Sequence, residues 1–191
     1  MSDWAGSSSG PAKLLGTAVL AAAVLLAAPP RAEAKVYLTQ EEALRSAFPP
    51  PAQVERRTLY LSEADTLKIA KEAGSPLGGS VFSYYVGKRG SEIAGYAWFD
   101  THIVRTLPET IMVLLRPDGR IQRIDILSFA EPEDYFAKEP WRAQFSGKDL
   151  DGDLALRRGI RGLTGASLTA EAITAACRRV LALHRFAGSK R

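Results

Sequence analysis

Between residues 81 and 129 the hydrophobic positions follow the short period that is typical of β-strands. Two runs, 81–86 and 93–99, are rich in aromatic and β-branched residues and flank the turn Gly87–Gly90, which predicts a hairpin. Two further runs, 110–116 and 121–129, flank Pro117-Asp118-Gly119, whose proline and glycine suit a tight turn. We predict that these four strands form one antiparallel sheet.

Helix signals precede this strand region. The capping box Thr39–Glu42 opens a short helix, which the prolines at 49–51 end. After a predicted strand at 57–61, the segment Ser62–Asp65 marks a second helix start, and Gly74 is placed to end that helix. The N-terminal part of the fold is therefore expected to contain short helices.

A longer helix is predicted at the C-terminal end, over 170–186. Its apolar face repeats every three or four residues, as in an amphipathic helix that packs on a sheet. The residues of this face are Ile173, Ala176, Cys177, Val180 and His184. The predicted fold class is α+β: an antiparallel sheet of about four or more strands, packed against this helix.

The first residues have the pattern of a secretory signal peptide. Lys13 precedes an uncharged, mostly apolar run over 14–28, and a small-x-small triplet, Ala32-Glu33-Ala34, follows. The apolar run has 15 residues, fewer than the roughly 20 that span a bilayer, so a retained signal anchor is the weaker alternative. We predict export to the periplasm or the outer face of the cytoplasmic membrane, with cleavage after Ala34. The rest would divide into an N-terminal extension, 35–79, and a main domain, 80–191.

Composition and charge narrow the possible functions. The chain has 191 residues and a formal net charge of +4, and its basic residues form pairs rather than a block interleaved with aromatics, so nucleic-acid binding is not expected. The single cysteine, Cys177, cannot form an internal disulfide, and we expect it in the core. Two histidines, without telling spacing, give little support to a metal site.

Three polar segments are candidates for chemistry. Asp149, Asp151 and Asp153 alternate, but the glycine and glutamate of a calcium loop do not stand at the required places. Glu131 follows the fourth strand and is either a solvated loop carboxylate or a functional group. The polar patch 100–105 contains His102, which either orients a loop or lines a ligand pocket. No set of residues for catalysis on a substrate is evident.

The most informative segment is Leu163–Thr169, at the mouth of the last helix. It sets hydroxyl side chains beside two very small residues. The N-terminus of a helix presents unpaired N–H groups and the positive end of the helix dipole, so it can bind a phosphate. Serine and threonine also cap helices where no phosphate binds. The local pattern leaves both interpretations open.

In this segment and upstream of it, the chain resembles the FMN-binding domain family, found in a flavoprotein component of the sodium-pumping NADH:quinone reductase and in the related Rnf flavoprotein. The family motif is Asp-x-x-Ser/Thr-Gly-Ala-Ser/Thr, and Thr164-Gly165-Ala166-Ser167 fits its last four places. The order of the strands over 95–127, the position of Glu131 and the segment 141–147, with its Gln-Phe-x-Gly ending, also resemble the family. The resemblance covers about residues 80–186.

The resemblance implies that FMN is bound at the mouth of the last helix, with Ser167 at the position of the hydroxyl that a flavin transferase esterifies, using FAD and releasing AMP. The phosphate would be held by the helix N-terminus and two threonine hydroxyls. The residues expected at the cofactor are Ser167, Thr164, Gly165, Ala166, Leu168, Thr169 and Glu131. The aromatic candidates for a wall against the isoalloxazine ring are Tyr96, Trp98, Tyr135 and Trp141.

One position departs from the motif, because residue 161 is arginine where the family has aspartate. FMN held without a covalent bond is therefore the alternative to the ester, and Arg161 could add a charge to the phosphate. The function implied is an exported electron carrier that works with redox proteins at or near the membrane. A flavin-dependent reductase and a flavin-free periplasmic binding or scaffold domain are the other hypotheses.

Overall fold

The core of the fold is one antiparallel sheet of six strands in the order β1-β6-β5-β4-β3-β2. The structure, a computed structural model, describes residues 34–190; the predicted signal sequence lies outside the described residues, apart from Ala34. The strands are β1 (Lys35–Val36), β2 (Gln53–Tyr60), β3 (Val81–Arg89), β4 (Glu92–Ile103), β5 (Pro108–Leu115) and β6 (Ile121–Phe129). The helices are α1 (Gln40–Ala47), α2 (Glu63–Ala73), the single turn α3 (Glu139–Arg142) and α4 (Ser167–Ser189), with 3-10 turns at Glu133–Tyr135 and Ala143–Phe145. The predicted α+β class is confirmed.

Local sequence signals fix the two N-terminal helices. Thr39 and Ser62 both close a full capping box, with Glu42 and Asp65 respectively. Each box satisfies two N–H groups that the first turn of a helix leaves without a partner. Gly74 ends α2 in the left-handed conformation, with φ +74°. The sequence signals at these helix ends are confirmed.

The hairpin between β3 and β4 is longer than predicted. Gly87 lies within β3 rather than in the turn, and Gly90, with φ +60°, makes the reversal. The physical reason is the Phe48 ring, which packs against Gly87: a Cβ there would lie 2.2 Å from Phe48 Cδ1. Glycine is thus needed at residue 87 for a close approach, not for a turn.

The segment 35–79 belongs to the same sheet as the rest. β2 pairs with β3 along its whole length, and β1 pairs with β6. The Arg178 guanidinium of α4 donates to the carbonyl of Ala73, at the C-terminal end of α2, over 2.9 Å. The expected division at residue 79 therefore separates parts of one folded unit.

The two faces of the sheet carry unequal cores. The larger core lies under α2 and α4, and the smaller one lies under α1, around Phe48 and Met112. α4 begins at Ser167, three residues earlier than predicted. Within residues 34–190, none of the helices combines the length and the apolar character that a bilayer-spanning helix needs.

Candidate functional site

Within the part of the chain that the structure describes, no side chain caps the N-terminus of α4. Its N-cap residue is Ala166, and no described side chain accepts a hydrogen bond from the first turn, although the helix has 23 residues. The chain enters through a β-turn in which the N–H of Ala166 donates to the carbonyl of Leu163 over 3.0 Å. Gly165 has φ +80°, as the third residue of a type II turn requires. The alternative in which serine or threonine caps this helix is therefore wrong.

The hydroxyl side chains of the segment Leu163–Thr169 fall into two groups. Thr164 and Ser167 are exposed, and within residues 34–190 neither hydroxyl makes a hydrogen bond. Thr169, in contrast, is buried, and its hydroxyl donates to the carbonyl of Tyr135 over 2.8 Å. Thr169 ties the 3-10 turn that contains Tyr135 to α4, and its proton is not available to a phosphate.

A cavity of about 260 Å³ lies at this helix start. Residues 165–169 line one side of it, and Arg105 and Tyr135 line the other. The Arg105 guanidinium carbon lies 4.6 Å from the centroid of the Tyr135 ring, a cation–π contact that orients the side chain. Within the described part of the chain, Arg105 has no carboxylate partner. A free cation thus faces an uncapped helix N-terminus, an arrangement that attracts an anion.

Glu131 holds the loop that carries Arg105. Its Oε1 accepts from the backbone N–H groups of Thr106 (2.8 Å), Leu107 (3.0 Å) and Arg105 (3.3 Å). Glu131 is 8% exposed. Burial alone would raise its pKa, but these backbone hydrogen bonds outweigh burial and hold the pKa below its usual value. The carboxylate expected at the pocket edge therefore binds the backbone of the Arg105 loop and does not line the cavity itself.

A second cavity, of about 290 Å³, adjoins the first, and Leu168 lines both. Its apolar lining includes Ile103, Val104 and Ala172. Ile103 is 59% exposed and Leu168 47% exposed, although both side chains are large and apolar. Cofactor pockets commonly have volumes of about 300–1,000 Å³. Neither cavity reaches this range alone, so a ligand of cofactor size would have to extend over both.

A buried network of charged groups borders the second cavity. His102 Nδ1 lies 2.9 Å from Asp100 Oδ1, and His102 Nε2 lies 3.0 Å from Glu109 Oε2. Arg179 of α4 donates to both oxygens of Asp100, over 2.7 and 3.0 Å. Because both imidazole nitrogens face carboxylates, which only accept, the ring is expected to carry two protons and a positive charge.

The pKa values of this network follow from its geometry. Burial opposes the charge of His102, but the two facing carboxylates outweigh it and raise the pKa of His102. Burial likewise opposes ionisation of Asp100, but His102 and Arg179 lower its pKa overall. Asp100 is an acidic partner of His102 that sequence reasoning missed. Strand alternation is the signal that indicates it, since residues 100 and 102 of one strand share a face.

Several residues proposed from sequence lie away from the cavity at α4. Tyr96 and Trp98 are in the core under α4 and cannot wall a ligand at Ser167. The Trp141 indole donates to the carbonyl of Arg161 over 2.8 Å, and Gln144 accepts from the Arg161 N–H over 2.7 Å. The backbone at 161 is thus fixed by the Gln-Phe-x-Gly segment. The basic side chain that lines the cavity is Arg105, which belongs to the polar patch 100–105 and was not expected at the cofactor.

The described residues give little support to a metal site, a calcium loop or a reactive cysteine. Within 34–190, no three histidine, cysteine or acidic side chains are grouped so that they could hold a metal ion. Asp151 instead accepts hydrogen bonds from the N–H groups of Asp153 and Leu154, as in a structural turn. Cys177 is fully buried, as expected, and burial raises the pKa of its thiol.

No protein-family model and no curated protein matches this chain. The motif and the geometry at α4 therefore carry the functional conclusion.

Proposed function

We propose that this chain binds FMN at the N-terminus of α4 and acts as an electron carrier. The single observation that carries the proposal is that a 23-residue helix without a side-chain cap faces Arg105, an arginine without a carboxylate partner, across one cavity, both as judged within residues 34–190. FMN, when bound, supplies transfer of one or two electrons at its isoalloxazine ring. The protein supplies binding and orientation.

The phosphate fits the site through two kinds of donor. The N–H groups of the first turn of a helix lack intrahelical acceptors, and the helix dipole favours a negative charge there. Arg105 adds a guanidinium, which donates charge-assisted hydrogen bonds to phosphate. Gly165 permits the tight turn at this point, and a Cβ on it would meet no atom of residues 34–190 within 4 Å, which leaves room for the phosphate to approach.

The isoalloxazine ring is expected over Leu168, toward the second cavity. Ile103 and Leu168 offer apolar surface there that the protein itself leaves exposed. Large exposed apolar side chains beside a polar anchor are typical of ligand sites. Of the four aromatic candidates named from sequence, Tyr135 lines the first cavity and is retained, whereas Tyr96, Trp98 and Trp141 are not.

Ser167 is the hydroxyl proposed to carry FMN as a phosphoester. It is exposed at the first position of α4, where a flavin transferase could reach it, and its hydroxyl is engaged in no hydrogen bond within residues 34–190. Arg161 stands at the place of the motif aspartate and does not line the cavity. The ester and noncovalent binding use the same donors, so the phosphate site does not depend on which of them occurs.

The carrier role and the location follow from the resemblance and from the N-terminal sequence. We propose an exported protein that exchanges electrons with redox proteins at or near the membrane. The run over 14–28 and the triplet that ends at Ala34 support export. The lack of an evident catalytic set in the sequence favours a carrier over a reductase.

Flavin titration tests the proposal. The full chain, produced without a flavin transferase, is titrated into FMN and into riboflavin, which lacks the phosphate, and flavin fluorescence is measured. We expect riboflavin to bind about a hundredfold more weakly, because the helix N-terminus and Arg105 both act on the phosphate. Arg105→Gln should weaken FMN binding about tenfold, while Arg89→Gln, an exposed control at the end of β3, should not. Equal affinity for FMN and riboflavin would contradict the proposed phosphate site.

A further inference from the structure

Strands β3 and β4 part from each other in the middle of the sheet. Their pairing runs from the hairpin turn to Tyr84 and Trp98 and ends there. β3 stays paired with β2 as far as Val81, and β4 stays paired with β5 as far as Ile103. Two neighbouring strands therefore diverge while each keeps its outer partner, which leaves a gap between residues 81–83 and 99–103.

A cavity of about 400 Å³ occupies this gap. Its lining includes Tyr85 and Phe99, which belong to the core under α1, and also Trp98 and Leu183, which belong to the core under α4. Successive side chains of a strand point to opposite faces of a sheet. Because adjacent residues 98 and 99 both line the cavity, it reaches both faces through the gap. Its volume is in the range of small-molecule sites.

Two side chains of this lining, Trp98 and Arg56, have a polar group that is incompletely paired within residues 34–190. Trp98 is 1% exposed, and among the described residues its indole Nε1 has no hydrogen-bond partner. Buried N–H groups without a partner are uncommon and call for an explanation such as a ligand or water. Arg56 donates to the hydroxyl of Ser83 over 2.9 Å, but it has no carboxylate partner within residues 34–190. Asp100 also lines the cavity, with both oxygens engaged by Arg179 and one also by His102.

We infer that this cleft between β3 and β4 binds a small, planar, apolar carboxylate that also carries a hydrogen-bond acceptor. Arg56 pairs with the carboxylate, the aromatic lining of Tyr85, Phe99 and Trp98 packs on the apolar body, and the Trp98 indole donates to the acceptor. The carboxylate lies on the side of the cleft away from Asp100, whose charge Arg179 and His102 already balance. This inference is independent of the flavin proposal, because the residues proposed to contact this ligand, Arg56, Tyr85, Phe99 and Trp98, line neither of the two cavities at the start of α4.

The Trp98 indole reports directly on occupancy. We propose ¹⁵N–¹H correlation spectra of the full chain, titrated with a hydroxynaphthoate whose hydroxyl and carboxylate are on opposite rings. The Trp98 indole signal is expected to shift saturably. The Trp141 indole already donates to the carbonyl of Arg161, so its signal should stay in place and serves as an internal control.

Charge variants test the role of Arg56. Arg56→Gln should weaken binding about three- to fivefold, the effect of a partly exposed ion pair, and the same ligand without its carboxylate should lose affinity by a similar factor. Arg57→Gln, on the next residue of β2, should leave the affinity unchanged, because Arg57 pairs with Glu55. A Trp98 indole signal that does not shift at millimolar ligand would overturn the inference. Equal losses for the two arginine variants would also overturn it, since they would indicate unspecific attraction of an anion.

Discussion

Replacing Glu131 by glutamine tests the scaffold of the proposed phosphate site. The substitution keeps the size of the side chain and one carbonyl oxygen, but it removes the negative charge. In the wild type, Oε1 accepts from three backbone N–H groups and, more weakly at 3.4 Å, from the hydroxyl of Thr106. All of these donors belong to the loop that carries Arg105.

The expected loss follows from the number and type of these bonds. Hydrogen bonds to charged groups contribute about 1.5–3 kcal/mol each, and neutral ones contribute about 0.5–1.5 kcal/mol. Three backbone bonds share one oxygen, so their losses do not add fully. We expect Glu131→Gln to lower the free energy of unfolding by about 2 kcal/mol. For a domain of this size the fall in Tm is about 4–8 °C.

Thermal unfolding at several pH values measures this loss and its sign. The folded-state pKa of Glu131 lies below its usual value of 4.5. Its ionised form therefore contributes stability above pH 4.5, and this contribution is lost as the pH falls through the folded-state pKa. The difference in Tm between the wild type and Glu131→Gln should be constant near neutral pH and should shrink at acid pH.

The control is Asp134→Asn, an exposed carboxylate three residues away, which should change Tm by no more than about 1 °C. FMN affinity should fall in Glu131→Gln and not in this control, because only the former loosens the Arg105 loop. A Glu131→Gln protein as stable as the wild type at neutral pH would refute the reasoning. A difference in Tm that does not depend on pH would refute the role of the charge.

Three further substitutions test individual contacts, one in the smaller core under α1 and two near the proposed site. Gly87→Ala should lower the free energy of unfolding by about 1–3 kcal/mol, because the added methyl group overpacks against Phe48. A double-mutant cycle with Phe48→Leu, measured by urea unfolding, should show strong coupling, and additive effects would contradict the contact. His102→Gln should be less stable than the wild type below pH 6.5, and this difference should fade as the pH rises through the raised folded-state pKa of His102. Urea unfolding at several pH values measures this difference in stability. A difference that grows with pH would contradict the prediction. Thr169→Val should lower the free energy of unfolding by about 1–2 kcal/mol, because the carbonyl of Tyr135 loses its donor. Thr169→Ser keeps the hydroxyl, so calorimetry should find its stability closer to that of the wild type. Equal losses for the two variants would contradict the hydrogen bond.

Features that depend on a few neighbouring residues could be predicted from sequence. The capping boxes at Thr39 and Ser62 and the left-handed Gly74 are of this kind, because their hydrogen bonds close within one helical turn. The tight turn at 117–119 is another, with the N–H of Gly119 donating to the carbonyl of Arg116 over 2.9 Å. Such features need no knowledge of the rest of the fold.

Features that depend on distant contacts could not be predicted. Gly87 resembles a turn residue in sequence, and only the Phe48 ring explains its place in a strand. β1 has two residues, too few to show a period, and exists because it pairs with β6. The same limit applies to the proposed site: Ser167 can be proposed from its motif, but Arg105 reaches the cavity through the loop that Glu131 holds, which no local pattern shows.

The central claim, that FMN is bound at the start of α4 with Ser167 as the ester acceptor, is tested most directly by intact-mass measurement. The full chain is produced with and without a flavin transferase, alongside Ser167→Ala and, as a matched control, Thr164→Ala. The account predicts a mass increase of one esterified FMN that requires the transferase and Ser167, and that Thr164→Ala retains. A yellow protein of unmodified mass would establish noncovalent binding and reject the ester. A colourless protein of unmodified mass, even after FMN is added, would contradict the claim.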